Sequence, residues 1–462
     1  MKLKNILYAC IIGAVALSSC SKKLELRDPQ TLTPQEAVGS DANIKTVLLG
    51  GYDAMSSSNM YGGNAQLFAD LLASDGEVSW VGTFNTYREV WGKNLLTTNP
   101  IISGIWGAGY NTINIANTVL ANIDKVNAAD QNRVKGEALW IRGTMHFELV
   151  RYFAKDFTDG NPSSNPGIPI MTAPTPTLDD VTKPARNKVA EVYNQVINDL
   201  TQAENLLPNS NGVFATKSAA AAILSRVYLQ QANYAAARDA ANRGILNATG
   251  KSLLSSFMSN FNQSANTAED IFAIQVNDQD GANNLQVFYA NQRFGGRSDI
   301  EIESRHLNLY EPGDVRGTVV TNPTASSQPT SAFYFISSFG AVYTTKWRDL
   351  YKNVKVIRLA ELYLTRAEAN FRLGTAVGDT PLNDINRIRT RAGVAPLLVI
   401  LNVNQIYLER RRELAFEGFG IHDARRFRRT VDGRAWNENR LVFPIPFREM
   451  NANPSLTQNP GY

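Results

Sequence analysis

What most limits the fold of this chain is a recurrence of paired helical patterns whose buried stripes carry small residues. In KSAAAAILSRVYLQQANYAAARDAANRGIL (217–246) and VKVIRLAELYLTRAEANFRLG (354–374), alanines recur with larger apolar residues at spacings of three and four. That period belongs to a helix, and small stripe residues let neighbouring helices approach closely. Segments 101–124, 133–157 and 188–208 carry the same period; in the first, Trp106, Tyr110, Ile113, Asn117 and Leu120 share a face. In 354–374 the stripe is Ile357, Ala360, Leu364, Ala367 and Phe371, and Gly374 is placed to stop the helix. Thr380-Pro381 supplies an N-cap and first-turn residue for PLNDINRIRTRAGV, which should end at Gly393. Such helix pairs look like divergent tetratricopeptide-type repeats, of which about four fit. Stacking them allows 462 residues to form one body.

The segment NQIYLERRRELAFEGFGIHDARRFRRT (404–430) is highly charged, yet its pattern is that of a helix docked among others. Tyr407, Leu414 and Ala415 recur at helical spacing. Glu409 with Arg412, and Arg410 with Glu413, stand three apart and can pair. Asn402 and Gln405 are set as a capping box. Gly418 and Gly420 should break the helix around Phe419, with a second short helix beginning near Asp423. The glutamates cancel the arginines, so no nucleic-acid patch is made. A net charge of +4 over the whole chain argues the same way.

Residues 1–19 read as an address. Lys2 and Lys4 precede an apolar run from Ile6 to Leu17, and Leu17-Ser18-Ser19-Cys20 resembles a bacterial lipobox. The expectation is cleavage before Cys20, lipidation of Cys20, and a polar tether after it. The other cysteine, Cys10, falls inside the signal, so no disulfide framework is available. No later apolar run is long enough to cross a membrane.

Read in order, the motifs resemble the SusD/RagB family of surface nutrient-binding lipoproteins of Bacteroidetes. The marks are Trp106, Tyr110, Ile113 and Asn117, then GEALWIRGTMHFELVRYF, VYNQVINDLTQAENLLP, SRVYL and EDIFAIQV. They continue through VIRLAELYLTRAEA, INRIRTRAGV and ERRRELAFEGFGIHDARR to the tail LVFPIPFREMNANPSLTQNPGY. The resemblance implies a mainly α fold: a tetratricopeptide-type helical-pair scaffold, an irregular loop-rich ligand-facing region, and minor β structure. One such domain would span 20–462, with helical pairs at about 98–250 and 354–430 and loop-rich parts at about 30–97 and 251–353. The proline-rich connector 161–186 is then a strap across that body and not a linker. The resemblance further implies a lipid-anchored protein on the outer-membrane surface, capping a SusC-like TonB-dependent β-barrel transporter. Its ligand would be an oligo- or polysaccharide, with peptide as the alternative. A scaffold for other protein partners is a third reading of the repeats.

Binding residues usually lie on loops held by a rigid scaffold. In SDGEVSWVGTFNTYREVWGK, Trp80, Phe84, Tyr87 and Trp91 are spaced as one helical face, but Gly76, Gly82 and Gly92 argue for an irregular loop. An irregular loop leaves aromatic faces free for sugar rings. In the second loop-rich part, Tyr289, Arg293, Arg297, Tyr343 and Trp347 are candidates. Ile271 to Val276 reads as a buried strand, whereas SNFNQSANTAED and TVVTNPTASSQPTSA read as surface loops. Asp278-Gln279-Asp280 is better read as a solvated turn than as a calcium site.

A surface glycoside hydrolase would need two carboxylates across the scissile bond. Glu409, Glu413 and Glu417 recur every four residues, but the arginines among them favour ionised carboxylates, which is wrong for a general acid. His146, His306 and His422 form no metal-ligand motif, and His146 has the setting of a satisfied core histidine. His422-Asp423 are adjacent and cannot orient each other as a catalytic pair. The reading is therefore a binding protein with no catalytic residue, metal or cofactor.

Overall fold

In the computed structural model, which describes residues 34–177, 180–321, 332–400 and 402–462, the helices start and stop at their caps. The signal segment, Cys20 and most of the loop TVVTNPTASSQPTSA lie outside these residues. Helices α1 to α4 are Pro34–Ala37, Asp41–Ser56, Asn64–Ala73 and Asn85–Trp91. Helices α5 to α9 are Pro100–Ala121, Ala128–Phe153, Val189–Leu206, Lys217–Gln230 and Tyr234–Asn247. Two short helices follow, α10 (Asn284–Tyr289) and α11 (Ser304–Leu307), then α12 (Leu359–Leu373), α13 (Pro381–Arg391), α14 (Val403–Glu413), α15 (Gly420–Arg426) and α16 (Phe447–Ala452).

Asn99 caps α5 by accepting from the N–H groups of Ile101 and Ile102, with Pro100 in the first turn. Thr380 caps α13 in the same way through the Asn383 N–H. Gly374 ends α12 in the left-handed conformation at φ 65°, as its position predicts. The stripes then stack: α2 on α5, α5 on α6, α6 on α7, α7 on α8, α8 on α9, α9 on α12, and α12 on α13 and α14. This is the helical-pair scaffold expected from the sequence. One apolar cluster runs through it from Ile44 to Leu456.

The strands are short. β1 (Val78–Trp80) pairs antiparallel with β3 (Ile300–Ile302), and β2 (Asp270–Ile274) with β7 (Val354–Arg358). A third sheet joins β4 (Val319–Thr321), β5 (Tyr334–Ile336) and β6 (Val342–Thr344). The expected buried strand is β2, covered along its whole length.

Several expectations need correction. The part at 30–97, expected to be loop-rich, holds α2, α3 and α4. Gly51 sits inside α2 because it lies against Ile141 and Ile115, where close approach outweighs its low helical propensity. Ile357 belongs to β7 and not to the stripe of α12, which starts two residues later. Of the two charge pairs expected in α14, Arg412–Glu409 forms at 3.5 Å. Arg410 instead turns to Asp423 at 3.1 Å, and Glu413 to arginines from elsewhere.

Those arginines make an ionic core. Arg358, at the end of β7, donates to Glu269 (2.7 Å), Glu413 (2.9 Å) and both oxygens of Glu417 (2.8 and 2.7 Å). Arg316 reaches Glu409 (2.7 Å) and Glu413 (3.2 Å), while Lys346 reaches Glu417 (2.7 Å). All these side chains are buried. Burial alone would raise the Glu413 carboxyl, but the charges of Arg391, Arg358 and Arg316 outweigh it and hold the group at about 2.

The proline-rich connector lies as a strap. Tyr110 donates to Pro169 O (2.8 Å), Asn117 to Met171 O and Ala173 O (3.0 and 3.1 Å), and Arg186 to Gly167 O (2.7 Å). His146 is the satisfied core histidine expected. Its Nδ1 lies 3.0 Å from Arg142 O and its Nε2 accepts from the Met171 N–H at 3.2 Å. Burial, then the Arg142 charge, press its pKa down to about 3, so it stays neutral. The tail closes over the end of α6: Phe443 stacks on Tyr152, and Asn459 donates to Phe153 O (2.8 Å) and Phe443 O (2.7 Å).

Candidate functional site

The antiparallel β1–β3 pair decides which loops meet. Trp80 lies opposite Ile300, so the loop leaving β1 and the loop entering β3 emerge at the same end. The ladder continues one step through the Val81 N–H to Asp299 O at 2.9 Å. Gly82 packs directly on the Asp299 carboxylate, where any Cβ would overlap it. Arg88 donates to Gly82 O at 2.7 Å and fixes the turn. Phe84 then projects from the mouth of this turn, 44 % exposed, with the Arg297 guanidinium 4.3 Å over its ring. Arg297 is held in place by Asp299 at 2.7 Å.

The β5–β6 hairpin adjoins this pair. Tyr343 on β6 donates to Glu301 on β3 at 3.2 Å. Phe335 on β5 meets Phe294 edge-on at 5.7 Å, and the Arg348 guanidinium stands 5.8 Å from the Phe294 ring. Three loops are thereby joined into one surface, 81–84, 291–299 and the hairpin loop 337–341, together with residues 345–351 after β6. Exposed apolar side chains on it are Val81, Phe84, Leu350 and Tyr351, and Phe339 at the hairpin tip is 96 % exposed. Flat rings flanked by arginines suit a ligand with both C–H faces and hydroxyls.

The residues singled out from the sequence divide sharply. Phe84 and Arg293 are exposed on this surface, with Arg297 partly so. Trp80, Tyr87, Tyr289 and Trp347 are buried, and their ring faces are already taken. Trp80 stacks on Tyr87 with centroids 5.0 Å apart and planes 9° apart, and Tyr87 packs on Phe288 at 4.3 Å. Trp347 donates to Phe416 O at 2.8 Å and Tyr289 packs on the Phe416 ring. Trp91 is partly buried and donates to Val78 O at 2.9 Å. Tyr343 is buried apart from its hydroxyl's link to Glu301. These rings bed the loops, and burial leaves them no face for a ligand in this conformation. Of the four aromatics of 80–91, Tyr87 and Trp91 lie in α4, Trp80 ends β1 and Phe84 caps the helix, so the expected irregular loop is confined to residues 81–84. Phe339, Leu350 and Tyr351 were missed; the signal for the first was an aromatic next to Gly340 in a hairpin tip, where φ is 85°.

A hollow of 430 Å³ lies between α3, α11, α14 and α15. Three ion pairs line it, Arg305 with Asp75, Arg411 with Glu77, and Arg410 with Asp423, and Arg429 stands on its wall without a carboxylate among the described residues. Asp70 accepts from the Gly418 and Gly420 N–H groups, yet burial raises its carboxyl to about 7. His306 faces Tyr334 at 2.8 Å and burial lowers its pKa, so it is neutral. The glutamates weighed as an acid–base pair are inaccessible: Glu409, Glu413 and Glu417 are buried, Glu413 is held ionised by arginines, and Glu417 by Arg358 and Lys346. Asp280 closes its own exposed turn by accepting from the Asn277 N–H at 2.8 Å.

Comparison with known proteins adds the context. A family model described as "Starch-binding associating with outer membrane" (SusD-like_3) matches residues 24–229, and the SusD family model matches 320–441. SusD-like protein P2 of Formosa agariphila is 24 % identical over 98 % of this chain and 98 % of its own. The starch-binding protein SusD of Bacteroides thetaiotaomicron is 33 % identical over 123 residues, 24 % of this chain and 22 % of that one. Among solved structures, a SusD superfamily protein from Bacteroides thetaiotaomicron has a TM-score of 0.79 at 27 % identity, covering 91 % of this chain and 100 % of that one. A putative sugar-binding protein from Bacteroides vulgatus also gives 0.79, at 28 % identity, covering 92 % and 99 %.

Proposed function

The chain belongs to the SusD/RagB family, and from that premise we propose that it captures glycans at the cell surface and passes them to a SusC-like TonB-dependent β-barrel transporter. The observation that carries the reading is the exposed Phe84 ring under Arg297, at the junction of three loops built on a stacked-helix scaffold. An aromatic ring with arginine donors beside it is what a sugar ring requires: an apolar surface for its C–H face and hydrogen bonds for its hydroxyls. In this reading Phe84, Arg293 and Arg297 touch ligand, while Trp80, Tyr87, Trp91, Tyr289 and Trp347 hold the loops. Cys20 carries the lipid that keeps the protein on the outer membrane. No described helix is long and apolar enough to cross a membrane, which is consistent with such an anchor. The protein binds and does not cleave.

The test is titration calorimetry on the full-length chain in detergent against neutral polysaccharides and peptides, followed by analysis for cleavage products. Saturable glycan binding without turnover, weakened about ten-fold by Phe84→Ala, is expected. Peptide binding in place of glycan would move the ligand class and leave the capture role. Turnover, or a glycan affinity untouched by Phe84→Ala, would defeat the reading.

A further inference from the structure

A second hollow, of 390 Å³, opens where the turn between α8 and α9, the end of α12, the start of α14 and the chain after α15 come together. Its wall holds Arg372, Arg426, Arg428 and Arg429, and no carboxylate lines it among the described residues. Arg372 is matched by Glu368 at 2.9 Å, and Arg426 by Glu368 and by Asp423 at 2.8 Å. Arg428 and Arg429 meet no carboxylate among the described residues. Arg428 lies over the Trp436 ring, and Arg429 lies over Tyr407 and donates to Asn404. Arg426 is only 7 % exposed, yet its Nε–H has no acceptor among the described residues, and neither has the buried Nε–H of Arg429. A buried guanidinium N–H without an acceptor is costly unless a ligand or water supplies one.

We propose that this hollow binds an anionic sugar unit, one bearing a carboxylate or a sulfate ester. Guanidinium forks match the paired oxygens of both groups. Ala232, Tyr234, Val403 and Phe427 form the apolar part of the wall, with Arg372 lying over both rings and Arg426 over that of Phe427. The volume accommodates a sugar residue. The choice of a saccharide rests on the proposed glycan-capture role, but the site shares no residue with the Phe84 surface. It gives the protein a charge-selective subsite separate from the loop surface.

The probes are D-glucuronate, glucose 6-sulfate, neutral glucose and inorganic sulfate, titrated into the full-length chain in detergent. Both charged sugars should bind, glucose should not, and the affinity should fall as salt rises. The double variant Arg428→Gln/Arg429→Gln, which breaks no ion pair, should weaken both charged sugars about ten-fold or more with an unchanged melting temperature. Phe84→Ala should leave them unaffected. Equal binding of glucose, binding indifferent to the double variant, inorganic sulfate binding as well as the sulfated sugar, or no charged-sugar binding would each overturn the proposal. A parent protein that binds the charged sugars but no neutral glycan would defeat the loop surface and not this site.

Discussion

Arg358→Met removes the centre of the buried ionic core. Arg358 is almost fully buried and makes five hydrogen bonds, to Glu269, Glu417 twice, Glu413 and the Glu413 backbone carbonyl. Methionine fills much of the volume and restores none of these. Glu269 then keeps Arg391, Glu413 keeps Arg316 and Arg391, and Glu417 keeps Lys346. Breaking a buried pair on one side costs about 3–5 kcal/mol, and the surviving cations place this change at about 3 kcal/mol. Arg358→Lys retains the charge without the fork and should cost about half as much. Urea unfolding followed by circular dichroism reads both as a lowered midpoint at constant slope. In the cycle with Glu413→Gln, the two changes should couple by more than about 1 kcal/mol. If Arg358→Met unfolds within about 1 kcal/mol of the parent, the network is not holding these elements together and the argument from burial is wrong.

Trp80→Ala should lower unfolding free energy by about 3–5 kcal/mol, since the ring is 3 % exposed and stacked on Tyr87; lost glycan binding at unchanged stability would instead make Trp80 a ligand contact. In acid, Glu413 has a folded pKa near 2 against an ordinary 4.5, so its stabilisation is full above about 4.5 and is lost as the pH falls toward 2. That shift corresponds to about 3 kcal/mol, and the melting temperature should drop between about pH 5 and pH 3; a flat profile there would contradict it. Cys20→Ser should move the chain from the membrane fraction to the soluble one, and continued membrane attachment would refute the anchor.

The periodic helices were legible because their information is local. A stripe at 3.6 spacing, Thr380 before Pro381 and Gly374 after Leu373 each act within one turn. Ile357 shows where locality fails: an apolar residue beside a helical stripe fits either period, and pairing with β2, far away in sequence, put it in a strand. Arg410–Glu413 failed for the same reason. Spacing of three permits the pair, but the partners that prevail come from 358, 391 and 316, which no window of sequence brings together. The loop surface was half legible. Glycines correctly marked tight turns around Gly82, yet composition does not say which ring of a cluster faces inward. Trp80 is buried and Phe84 exposed because β1 ends between them.

The clamp between the tail and α6 also has a consequence in time. Asn459 bonds to the carbonyl of Phe153, 306 residues earlier. At a synthesis rate of about 5–20 residues per second, helix α6 is made about 15–60 s before the residue that closes it. During that interval Tyr152 and Phe153 lack the cover of Phe443. A stack of helix pairs can otherwise mature pair by pair, each new pair covering the last. Here the cover of an early helix is supplied by the last residues of the chain, so a chain ending before Phe443 leaves Tyr152 and Phe153 without it.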